Sequence, residues 1–272
     1  MAMFLVTGAT GRVGRHVVNE LLMAGQKVRA LTRNVEGINL PQGVEVALGD
    51  LSQPHTLKRA LEGVTGMHLI TNGVGYVPLQ TGQEIVELAT KAGVRRVTVL
   101  WGGEKGLTEK AVEASNLEWT LLHPAEFMSN ALKWKESIRS EGVVQDLFAD
   151  SLSASIHEGD IGRVAAIALV ENGHAGKTYV LTGPESLTVP QKVGIISKII
   201  NRDIRFVKLS EEQERERMRR MGVQEDAIDY VIRWHSNPPE YSYTVNSSVE
   251  KVTGRPARTF AEWATEHVNY FI

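Results

Sequence analysis

The stretch Val6-Thr-Gly-Ala-Thr-Gly-Arg-Val-Gly14 constrains this chain more than any other. It follows the apolar run Phe4-Leu-Val-Thr7 and leads into His16–Met23, where Val17, Val18, Leu21 and Leu22 share a helical face. Its glycines fall at 8, 11 and 14. In a strand-turn-helix, each has a distinct task. Gly8 makes the tight turn out of the strand, Gly11 lets the backbone approach a pyrophosphate, and Gly14 lets the helix pack close to the sheet. The helix start offers N–H groups and partial positive charge to phosphates. Thr10, Arg12 and Val13 complete this cofactor turn.

Strand-like runs then alternate with helical segments. Lys27–Thr32, Val44–Leu48, Met67–Thr71, Val97–Leu100 and Trp119–Leu122 read as strands. Thr56–Leu61, Gly82–Lys91 and Thr108–Ser115 read as helices between them. The alternation predicts an α/β fold, a doubly wound parallel (Rossmann) sheet with helices on both faces. A smaller mixed α/β C-terminal lobe is expected beyond it. The predicted division is 1–150 for the dinucleotide-binding domain and 151–272 for a substrate-binding lobe interleaved with it. Towards the end of the first part, Glu126–Arg139 reads as a long helix. Asp160 reads as the cap of a helix through Val170, Val189–Ile200 as a helix, and Thr178–Leu181 and Ile204–Leu209 as strands. Glu211–Met221 reads as a solvated helix face and Phe260–Phe271 as an amphipathic helix.

Composition closes off several classes. A net charge of -2 gives no electrostatic case for nucleic acid or an anionic membrane as partner. The absence of cysteine excludes disulfides, thiolate nucleophiles and thiolate metal sites. No apolar run approaches the roughly 20 residues that cross a bilayer, and the N-terminus is not a secretory signal. A cytoplasmic protein with a small-molecule substrate is expected. His157-Glu-Gly-Asp160 lacks a third ligand at usable spacing, so no metal is expected.

The cofactor preference is read at the end of the second strand. An NAD site places an acid there for the ribose hydroxyls. This chain has Leu31-Thr32-Arg33-Asn34, without a carboxylate. Arg33 suits a 2′-phosphate, so NADP(H) is expected, with Arg12 able to approach from the turn. Glu36 stands three residues on. Asp50 and Leu51 end the third strand, beside the adenine. There Asp50 either accepts the adenine amino group or serves the loop, while Leu51 covers a ring face. Thr71, Asn72 and Gly73 follow the fourth strand on the cofactor side.

The segments Thr7–Gly14, Leu31–Asn34, Gly49–Leu51, Ala89–Val97, Ser115–Pro124 and Glu126–Asn130 carry a family resemblance. The chain resembles the atypical short-chain dehydrogenase/reductases, and within them the NmrA-like, triphenylmethane reductase-like group, over residues 3–185. The resemblance implies NAD(P)H binding and places Ser115–Pro124 in a strand feeding the nicotinamide side. One feature of the wider family is missing. Its members act through Tyr-x-x-x-Lys, yet four residues after Tyr76, Tyr179, Tyr230, Tyr241 and Tyr243 stand Gln80, Gly183, Trp234, Val245 and Ser247.

Candidates for chemistry therefore come from residues just past the strands. Tyr76, Lys105 and His123 are candidate proton donors. His123 could equally satisfy a backbone carbonyl, and Tyr76 could act as a lid. Tyr76, Trp101, His123, Met128 and Trp134 are candidate substrate contacts. Two functions remain: an NADPH-dependent reductase of a quinone, enone, imine or carbonyl, and a catalytically silent NADP(H)-sensing regulator.

Overall fold

The computed structural model describes residues 1–73 and 77–272. The chain divides into two compact units. The first comprises Met1–Pro124, Glu158–Leu181 and Ser248–Arg255, and the second Ala125–His157, Thr182–Ser247 and Pro256–Ile272. The sequence reading puts the boundary at 150, with the second lobe interleaved with the first domain. The packing groups 125–150 with the second unit and returns 158–181 to the first, because that return supplies a helix and an edge strand to the main sheet.

In the first unit the chain forms β1 (Met3–Val6), β2 (Lys27–Thr32), β3 (Glu45–Leu48), β4 (Val64–Ile70), β5 (Arg96–Leu100) and β6 (Glu118–Pro124). It then passes through the second unit, where it forms β7 (Val143–Asp146), and comes back as β8 (Lys177–Leu181). Among the described residues these give a seven-stranded sheet of order β3-β2-β1-β4-β5-β6-β8, with every pair parallel. The order reverses between β1 and β4, the switch point where open α/β sheets bind ligands beyond their carboxyl ends.

Helices α1 (Gly14–Met23), α2 (Gly82–Lys91) and α3 (Leu107–Glu113) follow β1, β4 and β5. On one face Leu5, Met67, Leu69, Val97 and Val99 pack with Ile85, Val86 and Ala89 of α2. On the other, α5 (Glu158–Val170) crosses β4, β5 and β6 and packs along α1. A β-carbon on Gly162 would lie 2.5 Å from that of His16, so glycine sets the distance between α1 and α5. Asp160 stands inside the first turn of α5 rather than at its cap, because the helix already begins at Glu158.

His68 of β4 is fully buried, and its Nδ1 lies 2.9 Å from Thr98 Oγ1 on β5. Burial holds the imidazole down at about 4, from an ordinary 6.5. The unfolded chain takes up this proton near pH 6.5 and the folded chain only near 4. The resulting stability is complete above 6.5 and is lost as the pH falls towards 4, by about 3 kcal/mol in all. Urea unfolding from pH 7 to pH 4.5 should show this loss (roughly the titration window), and His68→Gln should make the slope shallower, leaving the part that His123 contributes. An unchanged pH slope in the variant would contradict the assignment.

The second unit holds the parallel pair β7 and β9 (Arg205–Lys208), with α4 (Lys135–Glu141), α6 (Val189–Ile200), α7 (Glu211–Arg220), α8 (Glu225–Ser236) and α9 (Phe260–Glu266). Met128, Trp134, Ile138, Ile196, Phe260 and Trp263 belong to its core. The helix read over 126–139 is in fact a 3-10 segment, Met128–Trp134, followed by α4. Its buried residues Met128, Ala131 and Trp134 recur every third position, the period of a 3-10 helix. Thr56–Leu61 likewise gives only the 3-10 turn Pro54–Leu57, since Thr56 Oγ1 bonds back to Gln53 O at 2.7 Å. The C-terminal helix stops at Glu266 and continues as a 3-10 turn, Val268–Tyr270. No helix among the described residues is long and apolar enough to cross a membrane.

Candidate active site

The turn after β1 is built around the carbonyl of Gly8. Gly8 itself has φ +61°, the left-handed region that favours glycine. Gly11 N–H donates to Gly8 O at 2.8 Å. A β-carbon on Gly14 would lie 2.1 Å from the same oxygen and 3.0 Å from Ala9 Cα, so no side chain fits there. Val13 is buried beneath the turn, while Thr10, Gly11 and Arg12 are exposed above it. Helix α1 begins without a side-chain cap, which leaves its positive end facing the switch point.

At the end of β2, Arg33 is exposed. The backbone around it is pinned locally. Thr32 Oγ1 donates to Asn34 O at 2.6 Å, and Glu36 N–H donates to Asn34 Oδ1 at 3.0 Å. The Asp50 carboxyl is shifted below its ordinary value, chiefly because the Ser52 hydroxyl and N–H donate to Oδ1 at 2.7 and 2.8 Å, with Arg33 adding a favourable charge. Oδ1 therefore serves the loop. Leu51 is 8% exposed, packed in the core, and its carbonyl accepts from Thr81 Oγ1 at 2.6 Å. At the end of β4, Thr71 Oγ1 donates to Leu100 O at 3.4 Å, Asn72 bridges to Pro78, and Gly73 N–H donates to Val77 O at 2.8 Å. Tyr76 lies outside the described residues.

The ends of β5 and β6 bring three of the sequence candidates together. The rings of Trp101 and His123 stack with centroids 3.9 Å apart and planes 24° from parallel. Lys105 Nζ stands 5.6 Å from the Trp101 centroid and pairs with Glu113 Oε1 at 2.6 Å. Burial, and then the Lys105 charge, hold His123 down at about 4. It is therefore neutral at pH 7, and the imidazolium of a conventional general acid is not populated. Glu113, which fixes Lys105, lies two helical turns further along the sequence in α3, and only the fold gives it a role.

Met128 and Trp134, read from the sequence as substrate contacts, are 2% and 4% exposed and sit in the core of the second unit. The 3-10 winding turns both inward. An ion pair that sequence spacing gives no hint of lies nearby. Lys192 Nζ contacts Glu126 Oε2 at 3.1 Å and Ser155 Oγ at 2.6 Å. The Lys192 charge, opposed by burial, holds the Glu126 carboxylate well below its ordinary range. His157 is engaged by Glu266 at 3.1 Å and Arg258 at 3.2 Å.

Residues 2–263 match the model of the NmrA-like family. The chain belongs to that family. A (4-alkanoyl-5-oxo-2,5-dihydrofuran-3-yl)methyl phosphate reductase of Streptomyces griseus subsp. griseus is 35% identical, over 99% of both chains. The NAD(P)H azoreductase of Xenophilus azovorans is 33% identical, again over 99% of both. The triphenylmethane reductase of Citrobacter sp. has a solved structure that superposes with a TM-score of 0.82 at 25% identity, over 98% of this chain and 99% of that one. A complex of the same reductase with NADP(H) shares the fold, with a TM-score of 0.79.

Proposed function

We propose that this NmrA-like chain is an NADPH-dependent reductase that passes a hydride to a small organic acceptor, a quinone, enone, imine or carbonyl, without a Tyr-x-x-x-Lys pair. Near-full-length relatives named as reductases support the oxidoreductase class. The observation that carries the cofactor assignment is the pairing of a glycine turn with no room for a side chain at Gly14 and an exposed Arg33 where an NAD site has its acid. The residues fit the dinucleotide. The turn residues Gly8, Thr10, Gly11, Arg12, Val13 and Gly14 would face the pyrophosphate, and Arg33 the 2′-phosphate. Asp50 would use Oδ2 for the adenine, its Oδ1 being held by Ser52, and Thr71–Gly73 would border the nicotinamide ribose. Bound NADPH supplies the hydride.

The protein's own part is position and electrostatics. Trp101 and His123 offer a flat aromatic surface at the strand ends, with the fixed Lys105 charge beside it. Negative charge developing on an acceptor is stabilised by such a cation in a partly desolvated place. Neither Lys105, held in an ion pair, nor neutral His123 is poised to surrender a proton, so solvent protonates the product. Lys105→Met and His123→Gln should each lower kcat by less than about tenfold, against the 10²- to 10⁴-fold typical of a lost general acid. A drop of about a thousandfold in either, with NADPH affinity intact, would identify a true acid. The primary test follows NADPH absorbance with a panel of quinones, enones, aldehydes and azo compounds. Oxidation by at least one is expected. Tight NADPH binding with none turned over would favour a silent NADP(H) sensor, the reading that the missing Tyr-x-x-x-Lys supports.

A further inference from the structure

The ends of β5 and β6 also present a charge of one sign. His123 is buried, and its ring covers the half-buried Trp101 indole with centroids 3.9 Å apart. An indole face ordinarily draws cations, because its π cloud is negative, and holds them within about 6 Å of the centroid. Here the chain's own ammonium takes that place. Lys105 Nζ stands 5.6 Å from the Trp101 centroid.

The lysine is held there from both ends. Its backbone precedes Gly106, the N-cap of α3, whose N–H donates to Glu109 Oε2 at 2.9 Å. Its Nζ is tethered by Glu113 Oε1, in the last turn of α3, at 2.6 Å. The indole is fixed as well, since Trp101 N–H donates to Leu122 O at 3.0 Å. The tether does not abolish the field of the ammonium at the rings. The Lys105 charge still acts on the His123 imidazole, where it opposes a proton. A cation arriving over the indole therefore meets like charge. An anion meets an ammonium that carries several donors, of which Glu113 engages one.

We propose that Lys105 sets the charge selectivity of the acceptor site: acceptors carrying an anionic group bind beside Trp101 and His123, and cationic ones are turned away. The assignment rests on the reductase reading for the word acceptor. It concerns the charge of the acceptor and not which of its bonds is reduced.

The test uses two azobenzenes of matched size, one with a para-sulfonate and the other with a para-trimethylammonium group. Binding is read calorimetrically on the full chain saturated with NADP+, and turnover by NADPH absorbance. The sulfonate should bind at least about tenfold more tightly than the ammonium, the scale of a close charge contact near a protein surface. Lys105→Met should narrow that ratio at least about fivefold, chiefly by admitting the cation to the indole, while Lys105→Arg should keep it. Lys110→Met removes the same charge from an exposed position of α3 and should also keep the ratio, which separates a local effect from one of net charge. Equal affinities in the wild type, or a ratio that Lys105→Met leaves intact, would overturn the selectivity and leave the reductase standing. A Lys105-dependent ratio, with NADPH oxidised by neither dye nor any member of the panel, would support the selectivity and overturn the reductase reading.

Discussion

Gly14→Ala should cost this protein both stability and its dinucleotide. The added methyl would stand 2.1 Å from Gly8 O, far inside van der Waals contact, and both partners are backbone. Neither the start of α1 nor the turn can absorb it without moving. Overpacking of this kind costs about 1–3 kcal/mol or more. The movement also re-aims the N–H groups meant for the pyrophosphate, so NADPH affinity should fall by about 100-fold, equivalent to about 3 kcal/mol. Gly11→Val is a different case. A β-carbon there would be 3.0 Å from Gly8 O, tight but tolerable, and the rest of the side chain would project from an exposed position. It should lose the dinucleotide while keeping most of the fold. Thermal unfolding by circular dichroism and NADPH titration by fluorescence separate the two. Wild-type melting and binding in Gly14→Ala would contradict the geometry.

The second large effect belongs to Arg33. NADPH should bind at least about tenfold more tightly than NADH, because one charge-assisted hydrogen bond is worth roughly 1.5–3 kcal/mol. Arg33→Ala should remove most of that preference and leave NADH affinity almost unchanged. Equal affinities of the wild type for the two cofactors would refute the assignment, as would an undiminished preference in the variant. Glu36, three residues past Arg33 and with its backbone N–H tied into a turn by Asn34, is not expected to replace the missing acid at the end of β2, and Glu36→Gln should leave NADH affinity unchanged.

The first unit was legible because its signals are local. Glycines three apart, apolar runs of strand length and helices of clear periodicity each dictate their own conformation, and the parallel sheet follows from their alternation. Trp101, Lys105 and His123 could be singled out because residues just past strand ends in such a sheet face one edge. Their stacking, and the pairing of Lys105 with Glu113, arise from how β5, β6 and α3 come together. The second unit was less legible for identifiable reasons. Met128, Ala131 and Trp134 follow a threefold period that resembles an α-helical face over so short a span. Ile228 and Ile232 do carry the period of α8, but charged and polar residues surround them. Glu126 and Lys192 are 66 residues apart, and only the folded chain makes them a pair.

The central claim is hydride transfer from NADPH to a small acceptor, and isotope labelling tests it most directly. The full chain is incubated under argon with NADPH carrying deuterium at both C4 positions, together with whichever member of the panel it reduces, and the product is analysed by mass spectrometry. For an enone, transfer to carbon should give a product one mass unit heavier, with the deuterium at the β-carbon and none of it lost to solvent. Quinone and azo products, whose new O–H or N–H exchanges with water, cannot serve for this measurement. A reduced enone or aldehyde without carbon-bound deuterium, formed while NADPH is consumed, would contradict direct hydride transfer and with it the account of this site.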